Sequence, residues 1–268
     1  MIRNGCGKMS TKKENALVRA QTIVGAAIIP VFVIGYWVVC SKKGILNTTI
    51  LTSPEQLVAR FLKMFSDGSL WKNIFSSTRR VLEGFTIGAF LGLVIGSLVG
   101  LFKPIRILLS AVISILRPIP PISMIPFFIL WLGIGEESKL TIIAIGSFWS
   151  VLLNTIQGFQ DTDPNLVEVA DVFGKSKAVI LFKIVLPSAI PSVFTGLRLG
   201  MSHAWTAVVT AEMIAASSGV GYMIQYAREL SQPDLLLLGI VCIGIIGLII
   251  DTVVMFIQKK VVYWRTIE

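Results

Sequence analysis

The chain has 268 residues, 54% of them hydrophobic and only 15% charged, with a mean hydropathy of +0.80. Soluble domains carry about 25% charged residues, so this composition excludes an ordinary soluble domain, and equally disorder, collagen and coiled coil. Twenty-four Lys and Arg against 15 Asp and Glu give a formal net charge of +9. Basic residues set beside apolar runs long enough to cross a bilayer point to membrane topology and away from nucleic acid.

A bilayer core about 30 Å thick needs roughly 20 apolar residues in a helix. Residues 1–21 form a basic cytoplasmic leader (Arg3, Lys8, Lys12, Lys13, Arg19), and an apolar run over 22–40 follows. That run is longer than the apolar part of a signal peptide and no small-x-small site follows it, so it reads as a retained first span. Residues 41–80 read as an extracytoplasmic amphipathic segment, with Leu57, Phe61 and Phe65 opposed to Arg60 and Lys63, lying along the lipid headgroups. Five further spans are predicted over 81–102, 107–134, 139–157, 192–216 and 235–257, the second of these broken by Pro118, Pro120, Pro121 and Pro126. They make a core over 81–257 that includes a cytoplasmic connection over 158–191, and a cytoplasmic tail over 258–268 closes the chain.

The expected fold is therefore all-α and polytopic, with six transmembrane helices. With both termini cytoplasmic, thirteen Lys and Arg fall inside and nine outside, seven of the nine within 41–80. That majority sets the expected orientation, with the basic 41–80 segment in tension with it. Cys6, Cys40 and Cys242 lie far apart, without metal-ligand spacing, and read as small buried hydrophobes.

Glycine recurs at every fourth position of the second span: Gly84, Gly88, Gly92, Gly96 and Gly100. Lipid offers little hydrophobic drive between helices, so small residues four apart predict close backbone packing. Ionisable residues within spans are costly and mark function by default. His203 and Glu212, about 13 Å apart along the fifth span, are read as one polar, cavity-facing stripe, with helix–helix hydrogen bonding as the alternative. Asp251 is expected to pair with Lys259. Arg117 precedes the break at Pro118, Pro120 and Pro121. There it either lines a path near mid-membrane or reaches back to the headgroups. Arg117, Pro120, Pro121, His203 and Glu212 are the path candidates. No catalytic residue, metal cluster or Gly-x4-Gly-Lys-Ser/Thr loop is found.

The 158–191 connection is too polar to span and too patterned to be a simple linker. Asp163 suits an N-cap, Pro164 the first helical position, and Glu168 the early turns. Leu166, Val169, Val172 and Phe173 make one apolar face, Gly174 permits a corner, and a second short helix begins near Ser176. Pro187 and Pro191 are expected to close the unit. An apolar face just under the membrane predicts a knob that docks into another protein.

The run Glu168-Val-Ala170-Asp-Val-Phe-Gly174, followed by Ile184-Val-Leu186-Pro187, resembles the "EAA" loop of binding-protein-dependent ABC importer permeases of the type I fold. The spacings match, and Val169 stands where alanine is usual. Arg80-Val-Leu-Glu-Gly84-Phe85, Leu116-Arg117-Pro118-Ile-Pro120-Pro121 and Trp131-Leu-Gly133-Ile-Gly135-Glu136 are similar to the nitrate/sulfonate/taurine group of these permeases. So are Leu153-Asn154-Thr155, Ala211-Glu212-Met213 and Ser218-Gly219-Val-Gly221-Tyr222. His203 stands where the group usually has an apolar or small residue, so the resemblance assigns it no role.

The resemblance implies a non-enzymatic permease of the bacterial plasma membrane. It would pair with a second copy around a central path and be served by an extracytoplasmic binding protein. ATP and Mg would be bound by a dimer of ATP-binding subunits rather than by this chain. Glu168 and Gly174 would be the central coupling positions, framed by Ala170, Ile184, Leu186 and Pro187. The implied cargo is a small oxyanion (aliphatic sulfonate, taurine, nitrate or bicarbonate), with thiamine-precursor pyrimidines or other heteroaromatics as the alternative. Outside this family the rival is a secondary transporter, against which the absence of any half-to-half echo counts.

Overall fold

A computed structural model describes residues 28–45 and 51–263, and every regular element among them is helical. The leader and residues 22–27 of the expected first span lie outside the described residues. The rest of that span forms α1 (Ile28–Lys42), which the Trp37 indole N–H ties to the Thr52 carbonyl at 3.1 Å.

α2 (Pro54–Ser66) starts on a reciprocal cap: the Ser53 hydroxyl accepts from Gln56 N–H, and the Gln56 side chain accepts from Ser53 N–H. It ends at Asp67 and Gly68, whose φ of +74° suits glycine. Hydrogen bonding from Ser69 restarts the chain and holds the Asp67 carboxyl below the usual carboxylate range. α3 (Ser69–Leu101) then runs unbroken for 33 residues, about 50 Å. Here the sequence reading needs correction. The stretch expected to be one amphipathic segment ending at residue 80 is two elements, and residues 69–80 are the first turns of α3. Nothing between Ser69 and Leu101 lacks an N–H, so no physical break falls at residue 81.

The Arg106 side chain, in α4 (Lys103–Leu116), donates to the carbonyls of Val99 and Gly100 and satisfies the end of α3. The prolines after Arg117 end α4. A 3-10 turn (Pro121–Met124) leads into α5 (Ile125–Leu132), and the two halves are bent by 82°. α6 (Glu136–Gln160) opens with two acidic residues in its first turn, where the helix dipole favours them.

Glycine positions reveal how α3 and α6 meet. A Cβ at Gly84, Gly88, Gly92, Gly96 or Gly100 would collide with Ile143, Ser147, Val151, Thr155 or Phe159 respectively. The offset along both chains is constant, so α3 and α6 run parallel, and the bent α4–α5 unit returns the chain between them. On its other side α6 meets α9 (Leu186–Ala215) in antiparallel register: Gly158 approaches Ala189, Gly196 approaches Asn154, and Gly146 approaches Ala207. α11 (Pro233–Val261) packs antiparallel to α9, with the Trp205 indole donating to the Ile243 carbonyl at 3.2 Å. Val81, Ile143, Ala204, Trp205 and Val208 form the core where α3, α6 and α9 converge.

Between α6 and α9 lie α7 (Pro164–Val172) and α8 (Lys177–Ile180), joined at Gly174, whose φ is +65°. α8 passes through a π-turn (Leu181–Val185) straight into α9, making one apolar helix of 39 residues from Lys177 to Ala215. Pro187 and Pro191 therefore do not close the connection, and the helix that carries the span expected from residue 192 already begins at Lys177. Pro187 sits in the first turn of α9, where a missing N–H costs little, and the wider π-turn precedes it. α10 (Val220–Glu229) packs on α11. Among the described residues four helices (α3, α6, α8–α9 and α11) are long and apolar enough to cross a membrane, and the bent α4–α5 unit makes a fifth candidate.

The glycine seam yields a direct test. Gly88→Ala would press its methyl onto the Ala144 carbonyl and the Ser147 hydroxyl, whereas Gly244→Ala meets nothing within 4 Å. Thermal unfolding in one detergent should show the first variant destabilised by about 1–3 kcal/mol and the second unchanged or slightly stabilised.

Candidate functional sites

A cavity of about 550 Å³ opens at mid-height between α6, α9 and the α4–α5 corner. Arg117, Pro120, Pro121 and His203 all line it. The Arg117 side chain, at the end of α4, has no hydrogen-bonding or ionic partner among the described residues. His203 Nδ1 lies 2.6 Å from Ser150 Oγ. Asn154, one turn further along α6, donates to the Ser150 carbonyl at 2.8 Å, and Thr206 and Thr210 follow His203 on α9. No carboxylate of the described residues lines this space. Ser150, Asn154, Thr206 and Thr210 were not singled out by sequence reasoning as path residues. Their signal is polar residues at i, i+4 on two apolar helices, which faces a cavity or a partner rather than lipid.

Glu212 does not share this cavity, which corrects the expected polar stripe. Nine residues at 100° each amount to two and a half turns, so Glu212 and His203 leave α9 on opposite sides. Glu212 is only 1% exposed. Its carboxylate accepts from the Ser77 hydroxyl (2.7 Å), from Arg80 Nη1 (2.8 Å) and from Gly221 N–H (3.0 Å). Arg80 spreads the network: its Nε and Nη2 grip Glu136 bidentately at 2.7 and 2.8 Å, and Nη1 also donates to the Ser218 carbonyl at 2.7 Å. Lys139 adds a 2.7 Å bond to Glu136. Gly219, at φ +121°, leaves room for the Glu212 carboxylate where a Cβ would stand.

This cluster clamps α3, α6, α9 and the turn into α10 at the end of the bundle where α6 begins. Sequence reasoning counted Arg80 and Lys139 as orientation charges and so missed it. The available signal was that Arg80, Glu136, Glu212 and Ser218-Gly219 each sit in a segment that resembles the permease group. A second correction concerns Asp251, which pairs bidentately with Arg198 of α9 at 2.8 Å rather than with Lys259.

The α7–α8 connection carries the coupling candidates. The Asp163 carboxylate accepts from Asn165 N–H, and the Ser176 hydroxyl from Val179 N–H, so each short helix has its own cap. Leu166, Val169, Val172 and Phe173 are exposed, Val172 at 82%. Glu168 is exposed too, with no partner among the described residues, while Ala170 is buried at the base of the knob. Ile184 lies in the π-turn, with Leu186 and Pro187 directly after it at the start of α9. Among the described residues no group of three His, Cys, Asp or Glu could hold a metal.

Residues 88–263 match the family described as "Binding-protein-dependent transport system inner membrane component". The putative aliphatic sulfonates transport permease protein SsuC of Bacillus subtilis is 36% identical over 238 residues, covering 89% of this chain and 86% of that one. The nitrate import permease protein NrtB of Synechocystis is 30% identical over 270 residues, 98% of each chain. The fold is similar to that of the inward-facing MetNI methionine ABC transporter, with a TM-score of 0.62 at 19% identity over 72% of this chain and 95% of that one.

The ion cluster separates two neighbouring arginines. Arg80→Ala would strand the buried Glu212 charge and should cost about 3–5 kcal/mol. Arg79→Ala, which loses a solvent-exposed pair with Glu83, should leave the melting temperature in detergent unchanged.

Proposed function

The chain belongs to the binding-protein-dependent transport system inner membrane component family, and on that premise we propose that it forms the translocation path for a small oxyanion delivered by an extracytoplasmic binding protein. The chain is an ABC transporter permease, a multi-pass inner-membrane component and not an enzyme. In our reading six helices span the membrane, α1 being the first and the bent α4–α5 unit the third, with both termini cytoplasmic. ATP and Mg are bound by a pair of ATP-binding subunits docked on the α7–α8 knob. The cargo is an aliphatic sulfonate, taurine, nitrate or bicarbonate.

The observation that carries this reading is the continuity of one helix. The exposed knob opens directly into the 39-residue helix from Lys177 to Ala215, and that helix forms one wall of the cavity. A displacement of α8, which follows the Gly174 corner, is therefore carried into the cavity wall along one helix. The glycine seams and the Arg80 cluster hold α3, α6 and α9 as one compact body, which moves against the α4–α5 corner. Arg198 and Asp251 keep α11 attached to α9.

The second copy is supported by the outer face of α9. Thr195, Ser202, His203 and Thr206 are exposed on it beside Leu199, whereas α4 exposes Ile107, Leu108, Val112 and Ile115. Lipid suits the α4 face; a polar face at bilayer depth needs water or protein opposite it. Two copies meeting across α9 would enclose a common path.

In the complete complex reconstituted in proteoliposomes, Glu168→Lys should abolish both transport and binding-protein-stimulated ATP hydrolysis while the permease still inserts. Wild-type coupling in that variant would overturn the assignment of the knob.

A further inference from the structure

We infer that the permease carries its own binding subsite in this cavity, selective for an organic anion with an apolar tail over a bare inorganic anion. The inference rests on the proposed transport function and adds a selection step within the membrane to it.

The anionic head is recognised by what the cavity offers and by what it lacks. Arg117 brings a full positive charge and a fork of N–H donors that no carboxylate of the described residues occupies. His203 and Ser150 share one hydrogen bond. The pair keeps at least one polar hydrogen beyond that bond, whichever atom donates. Thr206 and Thr210 donate their hydroxyl hydrogens to backbone carbonyls, so the donors for the head are Arg117, the His203–Ser150 pair, the second amide hydrogen of Asn154 and the Trp149 indole N–H. With no acidic residue among the described residues lining the space, a cation finds no counter-charge there.

The remainder of the wall is apolar. Ile122, Ile142, Trp149 and Leu153 face the same space. A nitrate ion fills a small part of about 550 Å³ and leaves that wall wet. An alkyl or aryl tail displaces the water, and each methylene buried tightens binding roughly fourfold. Cationic end and greasy wall together describe an amphiphilic anion, with a sulfonate, carboxylate or phosphonate head.

The test is titration calorimetry on the purified full-length chain in lipid nanodiscs, with methanesulfonate, hexanesulfonate, nitrate and hexyltrimethylammonium as probes. Hexanesulfonate should bind at least tenfold more tightly than methanesulfonate or nitrate, and hexyltrimethylammonium should show no saturable site. Arg117→Gln should weaken hexanesulfonate roughly tenfold, and Arg117→Lys, which restores the charge, should recover part of that loss. His203→Ala should weaken it several-fold. Arg117 is exposed and unpaired, so its variants fold. Absence of saturable hexanesulfonate binding, equal affinity for hexanesulfonate and nitrate, or wild-type titration by Arg117→Gln would each overturn the subsite. The titration uses neither ATP nor binding protein. A failure here leaves the Glu168 coupling result standing, and a failure there leaves the subsite standing.

Discussion

Close backbone packing of α3 against α6 is the constraint on which the rest of the molecule depends. In a bilayer, apolar side chains gain nothing by leaving lipid for one another, so helices associate through dispersion contacts and whatever polar bonds they share. Five glycines in register bring the two backbones close enough for α6 side chains to fill the space where Cβ atoms would stand. Their four-residue period also fixes direction, since a constant offset is possible only for parallel helices. Parallel α3 and α6 force the chain to return between them, and the proline-broken α4–α5 unit is what returns. The corner it makes, with Arg117 at its edge, is one wall of the cavity.

The ion cluster at the head of α6 completes this frame and accounts for part of the charge tension in the sequence. Of the nine basic residues assigned outside, Arg60, Arg79, Arg80 and Lys139 have carboxylate partners. Those assigned inside and described, such as Lys103, Lys175, Lys183 and Lys259, have none among the described residues. The count behind the orientation thus mixes two populations. Part of the outer set is structural, with Arg60 fastening α2 to Asp234 at the start of α11 and Arg80 fastening three long helices. Removing the paired residues widens the inside majority on which the proposed orientation rests.

What the sequence made legible follows the range of the physics involved. The helical class, the apolar runs and the glycine seam are local or periodic signals and were readable. So were the Asp163 and Ser176 starts and the Gly174 corner, because capping and positive φ depend on a few neighbouring residues. Helix ends were less so: residues 69–80 are polar enough to resemble a loop, yet nothing in them prevents α-geometry, and over 177–191 the two prolines read as a stop although Pro187 falls in the first turn of α9, just after the π-turn. Partners distant in sequence were not legible. Glu212 finds Arg80 at a separation of 132 residues, and Asp251 finds Arg198 rather than the nearer Lys259. The stripe expected to join His203 to Glu212 failed on helix phase alone, since two and a half turns reverse the face.

The central claim is that α8 of the knob beneath the membrane and the cavity wall within it are parts of one continuous helix. Spin labels at Ala178→Cys on α8, Thr206→Cys on α9 and Ile122→Cys across the cavity, in a background without the native cysteines, allow both distances to be followed in the complete complex. The account predicts that binding of a non-hydrolysable ATP analogue leaves the 178–206 distance unchanged and shifts the 122–206 distance. A changed 178–206 distance with a constant cavity would contradict it.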